Sequence, residues 1–122
     1  GDVLLTPGDI REVQLAKSAV RSGINILMRR AGLEAEAIDA LYLAGGFGNY
    51  LRVGSAVALG MIPAALEEKV IPVGNTSGTG ALLALRSVPF ASDINRLRER
   101  LIYMELSEDE DFPMEFAMNM NF

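Results

Sequence analysis

Three glycines stand within four positions of "LYLAGGFGNYL", residues 41 to 51, directly after a short apolar run. A second glycine-rich stretch, "GNTSGTG", follows another apolar run at residues 74–80. Bare main chain of this kind lets a flat ligand come to van der Waals distance where a Cβ would block it. Two familiar nucleotide sites are excluded by detail. A dinucleotide site of the G-x-G-x-x-G type fails because Leu51 stands at the third glycine. It also fails because Pro72, Val73 and Gly74 end the next apolar run, where a ribose-binding carboxylate is needed. A P-loop fails because "GNTSGTG" contains no Gly-Lys-Ser/Thr to place a lysine on the terminal phosphates. Taken alone, each glycine cluster reads equally as a tight strand-to-helix turn. With no Cys and no His in 122 residues, the chain holds no zinc-finger ligand set, Cys nucleophile or Ser-His dyad.

The elements that position these glycines follow from periodicity. Thr6 as N-cap, Pro7 at the first helical position and Asp9 in the first turn predict a long helix that ends at Gly32. Ile10, Val13, Ala16, Val20, Ile24, Leu27, Met28 and Ala31 recur at three- and four-residue intervals and are expected to form its buried side. "LYLA" and "VIPV" read as short buried strands, "VGSAVALGMIP" as a helix ended by Gly60 and Pro63, and "GNTSGTGALLAL" as a turn entering a further helix. Alternation of strand and helix predicts an α/β layer with parallel pairing. Its glycines would then lie at the carboxyl ends of strands, the edge where open sheets bind ligands. "SDINRLRERLIYMEL" suggests a helix capped at Ser92 or Asp93 that runs into a strand or extended segment near Tyr103 to Leu106. Phe112, Met114, Phe116, Met118 and Phe122 are apolar positions available for docking on the body, with the tail methionines as core filling.

On the first helix Gln14, Lys17 and Arg21 fall on one side at about 100° per residue, with Lys17 inside the apolar arc. A charged head there needs a polar exit or a partner. Either Lys17 snorkels to a surface acid or it serves a ligand.

Net charge is −5, and it is uneven: Glu105, Glu108, Asp109, Glu110, Asp111 and Glu115 follow the last basic residue. The body is near neutral and the tail acidic. No basic stripe suits a nucleic-acid backbone, and "SEDED" is expected to be a solvated loop rather than a metal site. Half of the residues are hydrophobic, enough for a core. No apolar run nears the ~20 residues of a membrane span and no signal sequence opens the chain, so no membrane role and a cytoplasmic location are expected.

The ordered set "DIREVQLAKSAVRSG", "LYLAGGFGNYL", "SAVALGMIP" and "VIPVGNTSGTGAL" resembles the C-terminal ATPase-type domain of the ATP-dependent reductive activators of corrinoid proteins. These belong to the actin, sugar-kinase and heat-shock-chaperone superfamily. The likeness extends from about Asp9 to "YMELSEDEDF". It implies an α/β fold, the second lobe of a ribonuclease-H-like (actin-like) ATPase, with a partial parallel sheet flanked by helices. In that superfamily two lobes close on ATP, and the second carries a Gly-Gly adenosine motif that Leu43, Ala44, Gly45, Gly46, Phe47 and Gly48 resemble. "QLAK" resembles the helical segment that meets ribose and adenine, which implies Gln14 and Lys17 as a clasp with Arg21 or Ser18 nearby. Asn75 and Thr76 are further candidates for nucleotide contact, or else only cap the helix that follows. "SGTGALLAL" resembles the small-residue helix of hinge closure, and "GSAVALG" is a rival assignment.

The resemblance implies an adenosine-binding lobe that works with ATP and Mg²⁺ in the full-length protein. Its partners would be a corrinoid protein and the N-terminal lobe of the same protein, and a [2Fe–2S] domain outside this chain would supply the electron. Two alternatives stand beside it: a lobe of a small-molecule kinase of the same superfamily, and a non-enzymatic interaction module. Residues 1–122 are expected to be one domain, the C-terminal nucleotide-binding lobe excised from a larger multidomain protein, since the chain opens on Gly1 rather than Met. Apolar faces that normally meet the other lobe leave a homodimer of the fragment open. No phosphate-binding hairpin precedes residue 9, so the fragment alone is expected to be inactive. An ATPase assay on this chain should show no turnover; rapid hydrolysis would refute the two-lobe assignment.

Overall fold

A computed structural model describes residues 3–122, with the side chains of residues 47–49 outside the described set. The chain divides into two compact units. The first is made of Gly1–Leu41, Arg52–Val70 and Leu106–Phe122, the second of Tyr42–Leu51 and Ile71–Glu105.

The first unit is built on helix α1, Pro7–Ala31. Its start follows the sequence closely: the Thr6 hydroxyl accepts from the Asp9 N–H at 3.2 Å, and the Asp9 carboxylate accepts from the Thr6 N–H at 2.8 Å. This reciprocal capping box satisfies two helix-end donors, and the hydrogen bonds from Thr6 hold the Asp9 carboxyl below its ordinary range. Gly32 ends the helix at φ 65°, a left-handed cap that suits glycine.

The expected buried side of α1 is not the one found. Ile10, Val13 and Leu27 stay 45%, 39% and 50% exposed, whereas Lys17, Ser18, Ser22, Gly23 and Ile26 are buried. Small residues on that side let another segment approach closely, and Leu106 lies 3.2 Å from where a Cβ on Gly23 would stand. The segment is the acidic tail, which forms a 3₁₀ turn at Leu106–Glu108 and helix α6 at Phe112–Met118. Phe112 and Phe116 are half-buried with ring centroids 5.8 Å apart, while Met114, Met118 and Phe122 remain mostly exposed. Docking of the tail is therefore polar as much as apolar.

"SEDED" is accordingly not a free solvated loop. Arg30 pairs with Asp109 at 2.9 Å, and Arg29 reaches Asp111 at 3.3 Å and Glu115 at 2.6 Å. Burial alone would raise the Asp109 carboxyl, but the Asp111 N–H and Arg30 outweigh it and hold the group low. Glu115 is held low first by the Asn25 amide, which donates to it at 2.7 Å, and then by Arg29 and Asn119. Sequence reading missed this because α1 carries the arginines 79 to 86 positions away from their acids.

Helix α3, Val53–Ala58, ends at Gly60 with φ 78° and is followed by a 3₁₀ segment, Ala64–Lys69. Ala56, Met61, Ile62 and Leu66 from this stretch join Ile26 as the fully apolar buried residues. Lys69 donates to the carbonyls of Ala35 and Glu36 and so ties the segment to the 3₁₀ turn Ala35–Ala37.

The second unit contains a two-stranded parallel sheet, β1 (Leu41–Ala44) beside β2 (Val70–Gly74), whose first residues belong to the other unit. Helix α2 (Gly45–Tyr50) leaves β1, and α4 (Thr76–Arg86) follows β2 and packs on α5 (Val88–Arg98). The expected α/β fold with parallel pairing is found. The strands, expected to be buried, are only half so, with Tyr42 66% and Ile71 44% exposed. Helix α5 starts earlier than Ser92: the Ser87 hydroxyl caps it by accepting from the Phe90 N–H, and Pro89 occupies its first turn. Residues 103–105 form no strand among the described residues. No described helix is long and apolar enough to cross a membrane.

Depressed carboxyls at Glu115 and Asp109 give a pH dependence with a definite sign. A carboxyl whose folded pKa lies below its unfolded value contributes stability above the unfolded value and loses it as pH falls through the folded one. Thermal melting of the chain should therefore show a falling midpoint below about pH 4.3, the ordinary glutamate value. Glu115→Gln should flatten that fall and cost about 1–2 kcal/mol at neutral pH. An unchanged profile would remove Glu115 from the docking contact.

Candidate functional site

Parallel pairing puts the carboxyl ends of β1 and β2 at one edge of the sheet. Each strand ends in a glycine of left-handed conformation, Gly45 at φ 70° and Gly74 at φ 62°. A residue with a Cβ would pay about 1–2 kcal/mol for that backbone, so glycine is needed here for conformation alone. Gly46 differs. It has no positive φ, and a Cβ built on it meets no heavy atom of the described residues within 4 Å outside its chain neighbours and its own helix backbone. A Cβ at Gly45 also points into open space. Packing against the described residues thus does not require a glycine at 46, and toward them the surface there is bare main chain open to an external group.

The second strand end is internally determined. Asn75 is the N-cap of α4, with its Oδ1 accepting from the Gly78 N–H at 3.0 Å and its carbonyl from the Thr79 hydroxyl at 3.1 Å. A Cβ at Gly78 would lie 2.7 Å from Asn75 Nδ2, so that glycine makes room for the cap. Thr76 is exposed in the first turn of the same helix. The sheet edge brings together Gly45, Gly46, Asn75 and Thr76 within one unit. Phe47 and Gly48, also expected at this site, belong to α2, with the side chains of residues 47–49 outside the described set.

Gln14, Lys17 and Arg21 belong to α1 in the other unit. Gln14 and Arg21 are half-buried, and Arg21 Nε has no hydrogen-bond partner among the described residues. Lys17 is 4% exposed. Among the described residues it finds no surface acid: its ammonium donates to the Asn121 carbonyl and lies 5.4 Å from the centroid of the Phe122 ring. Sequence reasoning missed Asn121 and Phe122 as its neighbours, because a backbone carbonyl leaves no side-chain signature. Of the two hinge candidates, "GSAVALG" holds most of α3 in the first unit, and "SGTGALLAL" forms most of α4 in the second. Among the described residues no group of His, Cys, Asp or Glu is arranged to hold a metal ion.

Comparison with known proteins agrees with this architecture. The family described as the C-terminal domain of RACo, the ASKHA domain, matches residues 1–122. The chain is similar to the "Corrinoid activation enzyme RamQ" of Eubacterium limosum, 35% identical over 121 residues that cover 99% of this chain and 20% of that protein. It is also similar to the Co(II) methylated amine-specific corrinoid protein reductase of Methanosarcina barkeri, 30% identical over 83 residues, 63% of this chain and 15% of that one. Among solved structures, a "Reductive activator for corrinoid, iron-sulfur protein" superposes with a TM-score of 0.83 and 34% identity, covering 93% of this chain and 18% of that one. The chain matches 15–20% of the length of these relatives.

The two glycines at the end of β1 should respond differently to alanine. Gly45→Ala should lower unfolding stability by about 1 kcal/mol through backbone strain. Gly46→Ala should leave it unchanged or slightly raised, as helix propensity dictates. Chemical denaturation of both variants checks this, and equal losses would mean that Gly46 is also internally required.

Proposed function

Since the chain belongs to the family of RACo C-terminal ASKHA domains, we propose that it is the adenosine-binding lobe of an ATP-dependent reductive activator of a corrinoid protein. One observation carries the adenosine role. Gly45 and Gly46 present bare main chain at the carboxyl edge of a parallel pair, with nothing of the described residues beyond their own neighbours and helix where their Cβ atoms would be. A purine nucleoside needs that clearance, since its flat faces gain by dispersion and apolar burial only at contact distance. Gly45 turns the chain and Gly46 leaves the approach open, while Asn75 holds the neighbouring strand end rigid through its cap. Gln14, Lys17 and Arg21 are proposed as polar contacts to the nucleotide from α1, the unpartnered Arg21 Nε being a donor that such a ligand would satisfy.

ATP with Mg²⁺ would supply the free energy for a conformational change of the whole protein. The electron would come from a [2Fe–2S] domain elsewhere in the parent, because this chain contains no cysteine. We place the chain as the C-terminal nucleotide-binding lobe of that longer, cytoplasmic protein, with its N-terminal lobe and a corrinoid protein as partners. The names of the relatives, a corrinoid activation enzyme, a corrinoid protein reductase and a reductive activator, favour this role over a small-molecule kinase.

Gly46→Val in the complete protein should weaken ATP binding about tenfold or more while unfolding stays cooperative. Calorimetric titration with ATP and Mg²⁺ measures it, and wild-type affinity would leave the glycines as turn formers only. Lys17→Ala should weaken binding about fivefold. A loss confined to the melting temperature would assign Lys17 to packing.

A further inference from the structure

Helix α5 runs out into "LIYM", residues 101–104, within the second unit. Leu101 is mostly exposed, Ile102 is 95% and Tyr103 83% exposed, and Met104 is half-buried. The Tyr103 hydroxyl donates to the carboxylate of Glu105, two positions on, the relation of side chains that share one face of a strand. Main-chain groups are open as well. The Leu101 N–H still closes the end of α5 on the Arg98 carbonyl, but residues 102–104 make no main-chain to main-chain hydrogen bond among the described residues. Ile102 and Tyr103 are β-branched and aromatic types that favour strands. The segment therefore has the side chains and the open donors and acceptors of a strand, without a ladder.

Such a row is a template for another strand, and one this apolar is an aggregation hazard while it stays open. That favours an occupant that is always present over one that comes and goes. A second copy of the chain fits poorly. In a two-fold antiparallel ladder the residue at the axis faces its own copy. Centred on Ile102, such a ladder sets Glu99 against Glu105; centred on Tyr103, it sets Arg100 against Leu106. The remainder of the same polypeptide fits better. The matching family is a C-terminal domain, and the relatives match over only 15–20% of their length. Charge adds a requirement. Asp93, Arg96, Leu97 and Arg100 line an open cavity of about 460 Å³ on α5 and the turn after it. Asp93 pairs with Arg96, and Arg100 has no ion pair among the described residues. A carboxylate on the occupant would complete Arg100.

We propose that residues 102–104 are half of a β-ladder, completed by an apolar, carboxylate-bearing strand from the part of the same polypeptide outside these 122 residues. This rests on the placement of the chain in a longer protein and not on the adenosine role. The added strand takes up the main-chain groups of one side of the segment, its apolar side chains cover Ile102 and Tyr103, and its carboxylate meets Arg100.

Amide hydrogen exchange of the complete protein, without partners and resolved to single residues by electron-transfer fragmentation, tests this without a variant. In a one-sided ladder alternate N–H groups point to the neighbour. Ile102 and Met104 should then exchange about a hundredfold more slowly than Tyr103, or the reverse. Arg100→Glu should speed the protected amides about fivefold, and unchanged rates would overturn the carboxylate. Uniformly fast exchange would overturn the strand, and equal protection of all three amides would overturn the one-sided ladder. Protection that rises with protein concentration would assign the occupant to a second copy. Protection that needs an added corrinoid protein would assign it to a separate partner, and either result overturns the proposal. A complete protein no longer than this chain would remove the placement and the strand together, whereas open exchange in a longer protein removes the strand alone.

Discussion

The first unit depends on the contact between one polar side of α1 and the acidic tail. Ser18, Ser22 and Gly23 offer little apolar area, but they let α6 come close enough for main-chain and side-chain groups to pair directly. The Ser18 hydroxyl donates to the Phe116 carbonyl, Asn119 reaches Ser22, and Glu115 gathers donors from Asn25, Arg29 and Asn119. Ion pairs as exposed as Arg29 with Asp111, each side chain half exposed, are individually worth little. Glu115 is different because several donors converge on one carboxylate whose side chain is only 16% exposed, and such networks reinforce their members.

This choice of contact explains what α1 leaves outside. Using its small polar side for the tail turns Ile10, Val13 and Leu27 toward solvent in this chain. It also decides the surroundings of Lys17, which sits at the end of the docked side where the tail's last residues cross it. The apolar core of the unit is correspondingly small, centred on Ile26, Ala56, Met61, Ile62 and Leu66.

In the second unit backbone conformation is the governing constraint. Both strands hand over through a left-handed glycine, and the two glycines that follow have different reasons to exist. Gly78 is needed by the Asn75 cap, a demand from inside the chain, whereas Gly46 answers to none among the described residues. A glycine without such a demand among the described residues leaves bare main chain exposed at the sheet edge.

Local rules made much of this legible in sequence. The Thr6-to-Asp9 capping box, the Gly32 stop, both short strands and the glycines that follow them depend on neighbours a few residues apart, where capping, periodicity and turn chemistry act, and the parallel pairing was legible from the alternation of strand and helix. What only tertiary structure decided was which side of α1 is buried, where "SEDED" goes and what meets Lys17. Hydrophobic periodicity marks an apolar stripe but not its partner, and here a polar stripe found complementary acids about eighty residues away and won. Charge matching over that separation, and a backbone carbonyl as a lysine's acceptor, have no signature in residue order; they exist only once the chain is folded.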